Sequence, residues 1–390
     1  MRILHTSDWH VGKVLKGRDR HDEHVAVLGS IVRAARDEDV DVVLVAGDLF
    51  ETAAPNPQAQ GLVMRTLMAL REDGRLVVAI AGNHDNQGLI DAVYRPVLTE
   101  LGLHVLGTPK RPEAGGTLRL RTRSGEDLRV AALPFLSHRY AVRAAEVLLH
   151  ETAEHTLDYA RRVAQLVALL TEGFTPDAVN VVMTHVTLLG GRRGGGEREA
   201  ASTLDYELPA SMFPATAHYA ALGHLHRHQE IAAACPAFYS GSPLAIDFGE
   251  EANDSVALIV SAAPGIRADV RPVMMAGGRA LRTLRGTLDE VIAAGEQAGD
   301  AYLRVILAEP GRAGLGDLVR DKLPNALEVQ LDYQHRPQPG AEAARGGARA
   351  SRAGRTPLDL FGDYLEERSI DDPRISKMFA ELLDTVTGEA

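Results

Sequence analysis

Short runs of β-branched and aliphatic residues alternate along the chain with longer stretches in which apolar residues return every three or four positions. The first rhythm predicts buried strands and the second predicts helices with one apolar stripe. Strands are expected at residues 2–6, 41–46 and 76–81, and the stretches at 21–37 and 58–72 are long enough to be helical crossovers between parallel neighbours. Further strands are expected at 128–133, 179–185, 219–222 and 256–260, with a long helical stretch at 141–171. The pattern is that of an α/β fold in which strands run into polar clusters rather than hairpin signals. Those clusters are Ser7-Asp8-Trp9-His10, Gly47-Asp48-Leu49-Phe50, Gly82-Asn83-His84-Asp85, Thr184-His185-Val186 and Gly223-His224-Leu225-His226. Ligands of open α/β sheets sit beyond the carboxyl ends of strands, so these clusters are expected to converge on one crevice.

The rhythm changes in the last third. Between residues 271 and 333 histidine disappears and a strand-helix-strand-helix-strand order appears at 281–284, 288–294, 303–307, 315–323 and 326–331. This predicts a second, smaller α/β domain over 271–333, after a main domain over 1–265. Residues 335–355 hold five arginines and one glutamate among Ala, Gly and Pro, too little apolar bulk to fold alone, and read as a flexible basic linker. Thr356-Pro357-Leu358-Asp359 then opens a helix with proline at its start, and Leu358, Phe361, Tyr364 and Leu365 form an apolar stripe along it. A second helix is expected at 372–386. A helix pair over 356–390, beyond a linker and with an apolar face, is expected to dock on a partner rather than fold back.

Composition narrows the setting. The 390 residues are 45% hydrophobic and 24% charged, enough for one large core and smaller units beside it, which excludes a wholly disordered chain. Cys235 is the lone cysteine, so neither an internal disulfide nor a thiolate zinc module is available, and a reducing cytoplasmic setting is expected. The N-terminus meets charged and polar residues before any signal-length apolar run, and no stretch of ~18 residues lacks charge, so neither export nor membrane spanning is expected. A net charge of −11 argues against binding nucleic acid by bulk charge, which confines any DNA contact to a local patch. Only five of the 42 basic residues are lysine, a bias read more simply from GC-rich codons than from phosphate recognition.

The strand-end residues Asp8, His10, Asp48, Asn83, His84, His185, His224 and His226 offer oxygen and imidazole nitrogen donors and no sulfur. Such a set suits Mn, Fe or Zn at a hydrolytic centre better than a closed structural zinc site. Seven candidate ligands exceed what one ion needs, and two ions ~3.5–4 Å apart sharing a carboxylate are a common device for displacement at phosphorus. In Asp8-Trp9-His10 and His224-Leu225-His226 the i, i+2 spacing puts both side chains of a pair on one face of an extended segment. No Gly-x-x-x-x-Gly-Lys-Ser/Thr motif occurs, so the chain is not itself a P-loop ATPase. The segment Gly190-Gly191-Arg192-Arg193-Gly194-Gly195-Gly196-Glu197-Arg198 reads equally as a phosphate-backbone contact and as a surface loop.

In order, these clusters resemble those of the calcineurin-type metallophosphoesterases. More narrowly, the opening Met1-Arg2-Ile3-Leu4-His5-Thr6-Ser7-Asp8-Trp9-His10-Val11-Gly12, with Leu133-Pro134-Phe135-Leu136 and Tyr239-Ser240-Gly241-Ser242-Pro243, resembles the SbcD family of SbcCD exonuclease subunits. The resemblance implies a two-sheet sandwich flanked by helices, a small α/β capping domain and C-terminal helices. It implies two divalent ions, with Mn²⁺ the usual one. Carried over, one ion would be held by Asp8, His10, Asp48 and His226 and the other by Asp48, Asn83, His185 and His224, with Asp48 bridging. His84 is left as a catalytic imidazole acting on the reacting phosphate or leaving oxygen, with Asp85 expected to hold its ring. Glu51 either orients a ligand or caps its turn, and Trp9 is expected to pack beneath the metal loop. His5 and the histidines off the strand ends are expected to be structural. The implied activity is exonuclease and endonuclease cleavage of DNA ends and hairpins in repair and recombination. The implied partners are an SbcC-like coiled-coil ATPase, docked on the tail, and a second copy within a heterotetramer. A phosphomonoesterase or cyclic-nucleotide phosphodiesterase on the same scaffold, and a non-cutting DNA-end scaffold, are the competing readings. The extra domain and tail weigh against the first, and the complete donor set against the second.

Overall fold

The computed structural model describes residues 1–137, 159–197, 207–312 and 314–332, with isolated positions at 141, 144, 361, 362, 365, 375, 378 and 379. Residues 1–335 form one compact unit and residues 336–390 another. The first unit is built on two six-stranded sheets. One runs in the order Ile266–Met274, Val256–Ala263, Arg2–Thr6, Val42–Ala46, Leu76–Ile80, Leu103–Leu106, its last four strands parallel. The other runs Gln229–Ile231, Ala237–Tyr239, Tyr219–Gly223, Val179–His185, Asp127–Leu133, Thr117–Arg121, its middle four strands parallel and its edges antiparallel.

The strands are apolar on both faces because both faces are covered. Val42, Leu44 and Ala46 point between the sheets and share a core with Val130, Ala132, Val181 and Met183 of the second sheet. Val43 and Val45, one residue out of step, face the helices His21–Asp37 and Pro57–Arg71 through Val27, Ile31, Val63 and Leu67. The second sheet repeats this with Val182 and Leu222 turned toward Val163 and Leu166 of the Tyr159–Thr171 helix. A side chain with a period of two thus decides which of two cores it enters, and each fully buried Val or Leu contributes ~1.5–3 kcal/mol of hydrophobic stabilisation.

Strands expected from the pattern form within one to three residues of their expected limits. The pattern did not announce the outer strands Leu103–Leu106, Thr117–Arg121, Gln229–Ile231, Ala237–Tyr239 and Ile266–Met274. Edge strands need only one apolar face, and in Thr117–Arg121 half-buried Leu118 and Leu120 alternate with exposed Arg119 and Arg121. Arg271–Met274, placed by the sequence rhythm in the smaller domain, instead pair with Val256–Ile259. Helix is described at the end of the expected 141–171 stretch, over Tyr159–Thr171, and most of the remainder lies outside the described residues.

The three parallel strands Leu281–Gly286, Tyr302–Leu307 and Ala326–Leu331, with the helices Leu288–Glu296 and Leu315–Lys322, enclose their own core of Val291, Leu303, Val305, Leu307 and Val319. This sheet packs on loops of the main domain, with Leu281 and Tyr302 against Leu15 of the short strand Val14–Leu15 and Phe248 of the single turn Phe248–Glu250. The Arg279 guanidinium covers the Tyr302 ring at 4.1 Å, and Lys16 pairs with Glu328 at 3.1 Å. In the second unit Phe361 and Phe379 stack with ring centres 3.9 Å apart, both at helical positions. The expected linker at 335–355 lies outside the described residues, as do Leu358, Tyr364 and most of the expected tail helices. No described helix is long and apolar enough to cross a membrane.

Phe248 is 1% exposed at the seam between the large and small sheets. Phe248→Ala should lower the unfolding free energy by about 3–5 kcal/mol in urea denaturation, the usual cost of an aromatic cavity.

Candidate metal centre

The donors reach one place because the parallel strands of both sheets stop there, and the backbone turns sharply as it leaves them. Asp8 (φ 54°), His10 (φ 47°), Asp48 (φ 51°) and His224 (φ 101°) are four of the seven described non-glycine residues with left-handed backbone. Each such residue costs of order 1–3 kcal/mol and persists only where its surroundings enforce it. The enforcement is visible. Asp8 N–H donates to the Gly47 carbonyl at 2.9 Å, His10 N–H to Asp48 at 3.0 Å and Val11 N–H to Leu49 at 3.1 Å, binding the two loops together. Ser242 Oγ donates to the Asp8 carbonyl at 2.8 Å, and Ser7 and Ser240 hydroxyls meet at 2.7 Å. At Gly47 (φ 98°) a Cβ would lie 2.2 Å from His185 Nδ1, and at Gly82 one would lie 2.1 Å from Asp48 Oδ1, so neither position has room for a side chain.

Three imidazoles are oriented from behind. His10 Nδ1 lies 3.0 Å from Glu51 Oε2, His226 Nδ1 2.6 Å from Glu250 Oε1, and His185 Nδ1 2.8 Å from the Ala46 carbonyl. Each partner only accepts, so Nδ1 carries a proton and Nε2 faces the centre, where it offers a lone pair to metal once it holds no proton of its own. There the donor atoms meet. His10 Nε2 and His226 Nε2 are 3.1 Å apart, and His185 Nε2 is 3.1 Å from Asn83 Oδ1 and 3.4 Å from Asp48 Oδ2. Asp48 Oδ2 is also 3.6 Å from His10 Nε2, which places this oxygen between the two groups, and His224 Nδ1 lies 2.8 Å from Asn83 Oδ1. Ligand atoms of Asp8, His10 and His226 lie within 4.8 Å of one another, as do those of Asp8, Asp48 and His185, and of His10, Asp48 and His84. Acceptor facing acceptor in a buried space is repulsive unless a proton or a metal ion stands between them, and nitrogen and carboxylate donors gathered this closely fit divalent metal.

The ionisation pattern has the same cause. Burial opposes charge on His226, but the carboxylates of Glu250, Asp8 and Glu197 together outweigh it and push the pKa up to about 10. Burial likewise opposes charge on His185, and Asp48, with Asp8 and the Ala46 carbonyl, overrides it, raising the pKa to about 9. At His10 burial prevails over Glu51 and brings the pKa down to about 3. Burial raises Asp48, but the combined pull of His185, His10 and His84 exceeds that cost and holds it well below the carboxylate range, whereas burial pushes Asp8 upward. A proton on His185 or His226 supplies the positive charge that the surrounding oxygens demand.

All seven candidate ligands and His84 therefore come together. Asp85 does not hold the His84 ring. Its carboxylate accepts the backbone N–H groups of Gly82 at 2.9 Å, Phe50 at 3.0 Å and Leu49 at 3.2 Å, tying the Asn83 loop to the Asp48 loop. The His84 ring is held instead by the Glu51 carbonyl, which accepts from Nδ1 at 2.7 Å. Chain adjacency suggested Asp85 as the partner, but the turn directs neighbouring side chains apart. Glu51 orients His10 and pairs with Lys13 at 3.0 Å.

Sequence reading missed Glu250 and Glu197. Glu197 accepts the His226 backbone N–H at 3.0 Å and that of Gly195 at 2.8 Å, and also binds Gly194 N–H, fixing residues 194–197 beside His226. Neither glutamate belongs to a strand-end cluster, so no spacing signal marks it. Arg192 and Arg193 are exposed on the same loop, while Arg198 lies outside the described residues. Phe135, from the Leu133-Pro134-Phe135-Leu136 motif, stacks on His224 with ring centres 6.1 Å apart. Trp9 is buried with Nε1 donating to Thr6 Oγ1 at 3.0 Å, and His5 pairs with the Tyr219 hydroxyl at 2.8 Å, away from the metal donors.

Residues 1–228 match the family model described as calcineurin-like phosphoesterase, and residues 278–369 match one described as type 5 capsule protein repressor C-terminal domain. Three proteins named as the SbcD component of the nuclease SbcCD are similar to the chain. That of Bacillus subtilis is 38% identical over 72% of this chain and 71% of its own length. That of Rhodobacter capsulatus is 37% identical over 68% and 67%, and that of Escherichia coli K12 30% identical over 77% and 74%.

Metal uptake has to displace the protons held on His185 and His226, so about two protons per chain should leave at pH 7, and affinity should climb as pH rises toward the pKa values near 9 and 10. Calorimetry in buffers of differing ionisation enthalpy measures this, and uptake without proton release would show that His185 and His226 are already neutral at pH 7 and would overturn the raised pKa values.

Proposed function

The chain belongs to the calcineurin-like phosphoesterases and within them to the SbcD nuclease subunits, and from that membership we propose that it hydrolyses DNA phosphodiesters at double-strand ends and hairpins in repair and recombination, as the nuclease subunit of an SbcCD-like complex. The observation that carries the reading is the convergence of His10, His226, His185, Asn83 and Asp48 lone pairs on one buried space at the strand ends. Asp8, His10, Asp48 and His226 would hold one divalent ion, and Asp48, Asn83, His185 and His224 the other, with Mn²⁺ the expected species. Such ions, when bound, lower the pKa of water and neutralise the charge that develops on a phosphodiester.

The remaining steps fall to the chain's own side chains. The Glu51 carbonyl fixes His84 Nδ1, and the ring stands edge-on to His10 with centres 4.6 Å apart, so His84 keeps one orientation beside the ligands without needing to be one. In its protonated form the second ring nitrogen donates to the phosphoryl or leaving oxygen while Nδ1–H stays on Glu51. Asp85 acts by positioning, since it closes the loop that carries Asn83 and His84. Arg192 and Arg193 project from a loop anchored through Glu197, a location suited to phosphate contacts that do not read sequence.

The small sheet acts as a cap on the catalytic domain, and the tail over 356–390, whose apolar positions predict helices, is the docking segment for an SbcC-like coiled-coil ATPase. The complex is cytoplasmic and contains two copies of this chain. Val93, Val97 and Leu101 stand four residues apart and are 50%, 61% and 46% exposed, a stripe that a second copy would bury.

His84→Gln should retain metal uptake while Mn²⁺-dependent cutting of blocked-end and hairpin duplexes in a gel assay falls about 10²–10⁴-fold. Activity confined to small phosphomonoesters would reject the DNA reading. Val97→Asp should convert a dimer to a monomer by light scattering with the metal centre intact, and an unchanged mass would remove the stripe from the interface.

A further inference from the structure

The two halves of the centre are built with unequal charge. The group of Asp8, His10, Asp48 and His226 contains two ligand carboxylates, and both of its imidazoles are backed by carboxylates, Glu51 behind His10 at 3.0 Å and Glu250 behind His226 at 2.6 Å. Glu197 adds a third carboxylate on the His226 backbone at 3.0 Å. The group of Asp48, Asn83, His185 and His224 has one ligand carboxylate, shared, and a neutral amide oxygen. Its His185 leans on the neutral Ala46 carbonyl at 2.8 Å.

Glu250 is the most committed of these supports. It is 1% exposed, its Oε2 accepts the Ile246 N–H at 2.8 Å, and Oε1 leaves no room at Gly196, where a Cβ would lie 2.0 Å away. A buried carboxylate held this firmly fixes the imidazole tautomer, aims Nε2 and strengthens it as a donor; carboxylate partners of this kind are worth ~10–100-fold in metal affinity.

We propose that Glu250, with Glu51, makes the Asp8, His10, Asp48 and His226 group the tight site, so that the two metals load in sequence and the Asp48, Asn83, His185 and His224 group fills second. Glu250 is a positioning residue, since it reaches the metal only through His226. The inference rests on the ligand assignment proposed above, and the test separates the two. Metal-free full chain is titrated with Mn²⁺, with bound metal read by electron paramagnetic resonance and by calorimetry. Two binding classes are expected, and Asn83→Ala should remove the weaker one. Glu250→Ala should weaken the tighter class about 100-fold, and Glu250→Gln, which still accepts from Nδ1 but lacks the charge, about 10-fold. Glu51→Gln, at a half-buried position where loss of fold is not expected, should act in the same direction. Two classes of equal affinity, or a tight class indifferent to Glu250 and Glu51, would overturn the loading order and leave the binuclear centre standing. Uptake of fewer than two ions would overturn the centre itself.

Discussion

Electron pairs that face one another in a buried space must share a cation, and this constraint organises the catalytic end of the molecule. The Nε2 atoms of His10 and His226 meet at 3.1 Å because Glu51 and Glu250 hold the opposite nitrogens. Without metal the raised pKa values of His226 and His185 put a proton into such contacts, and the same holds for His185 against Asn83 and Asp48. The chain thus spends folding energy to assemble a place that needs positive charge, first as protons and then as the metal these donors suit.

That energy comes from the three hydrophobic cores beneath the loops, one between the sheets and one on each outer face. Strands such as Val42–Ala46 are buried along their whole length and leave little freedom in where they end. The left-handed residues at those ends are then held by ties between loops, Asp8 to Gly47, His10 to Asp48, and Asp85 to three backbone amides. Gly47 and Gly82 are obligatory for a steric reason, since His185 and Asp48 occupy the space that a side chain would need. Strain at the donors and rigidity in the strands are two aspects of one arrangement, which keeps the ligand geometry fixed before any ion binds.

The acidic balance of the chain takes on meaning at this level. A net charge of −11 does not draw nucleic acid to the surface at large. Around the metal donors the carboxylates Asp8, Asp48, Glu51, Glu197 and Glu250 concentrate negative charge that divalent ions answer, and Arg192 and Arg193 stand on a loop fixed to the same histidine. The small sheet packs beside Phe248, two residues from Glu250, so the seam with the small sheet and the support of the His226 ring share a short turn.

By itself the sequence determined the α/β architecture, because buried strands and amphipathic helices each impose their own period on the apolar residues. It also marked the candidate site residues, because Asp8, His10, Asp48, Asn83, His84, His185, His224 and His226 stand just where strands stop. Edge strands such as Ile266–Met274 escaped it, since one-sided burial leaves only a weak alternation. Tertiary structure alone decided what stands behind the donors. Glu250 and Glu197 lie outside every strand-end cluster and reach His226 through space, and Asp85 turned away from its neighbour His84 because a tight turn sends adjacent side chains in different directions. Ligands are read from where strands end, whereas the groups that aim them depend on which loops are packed together.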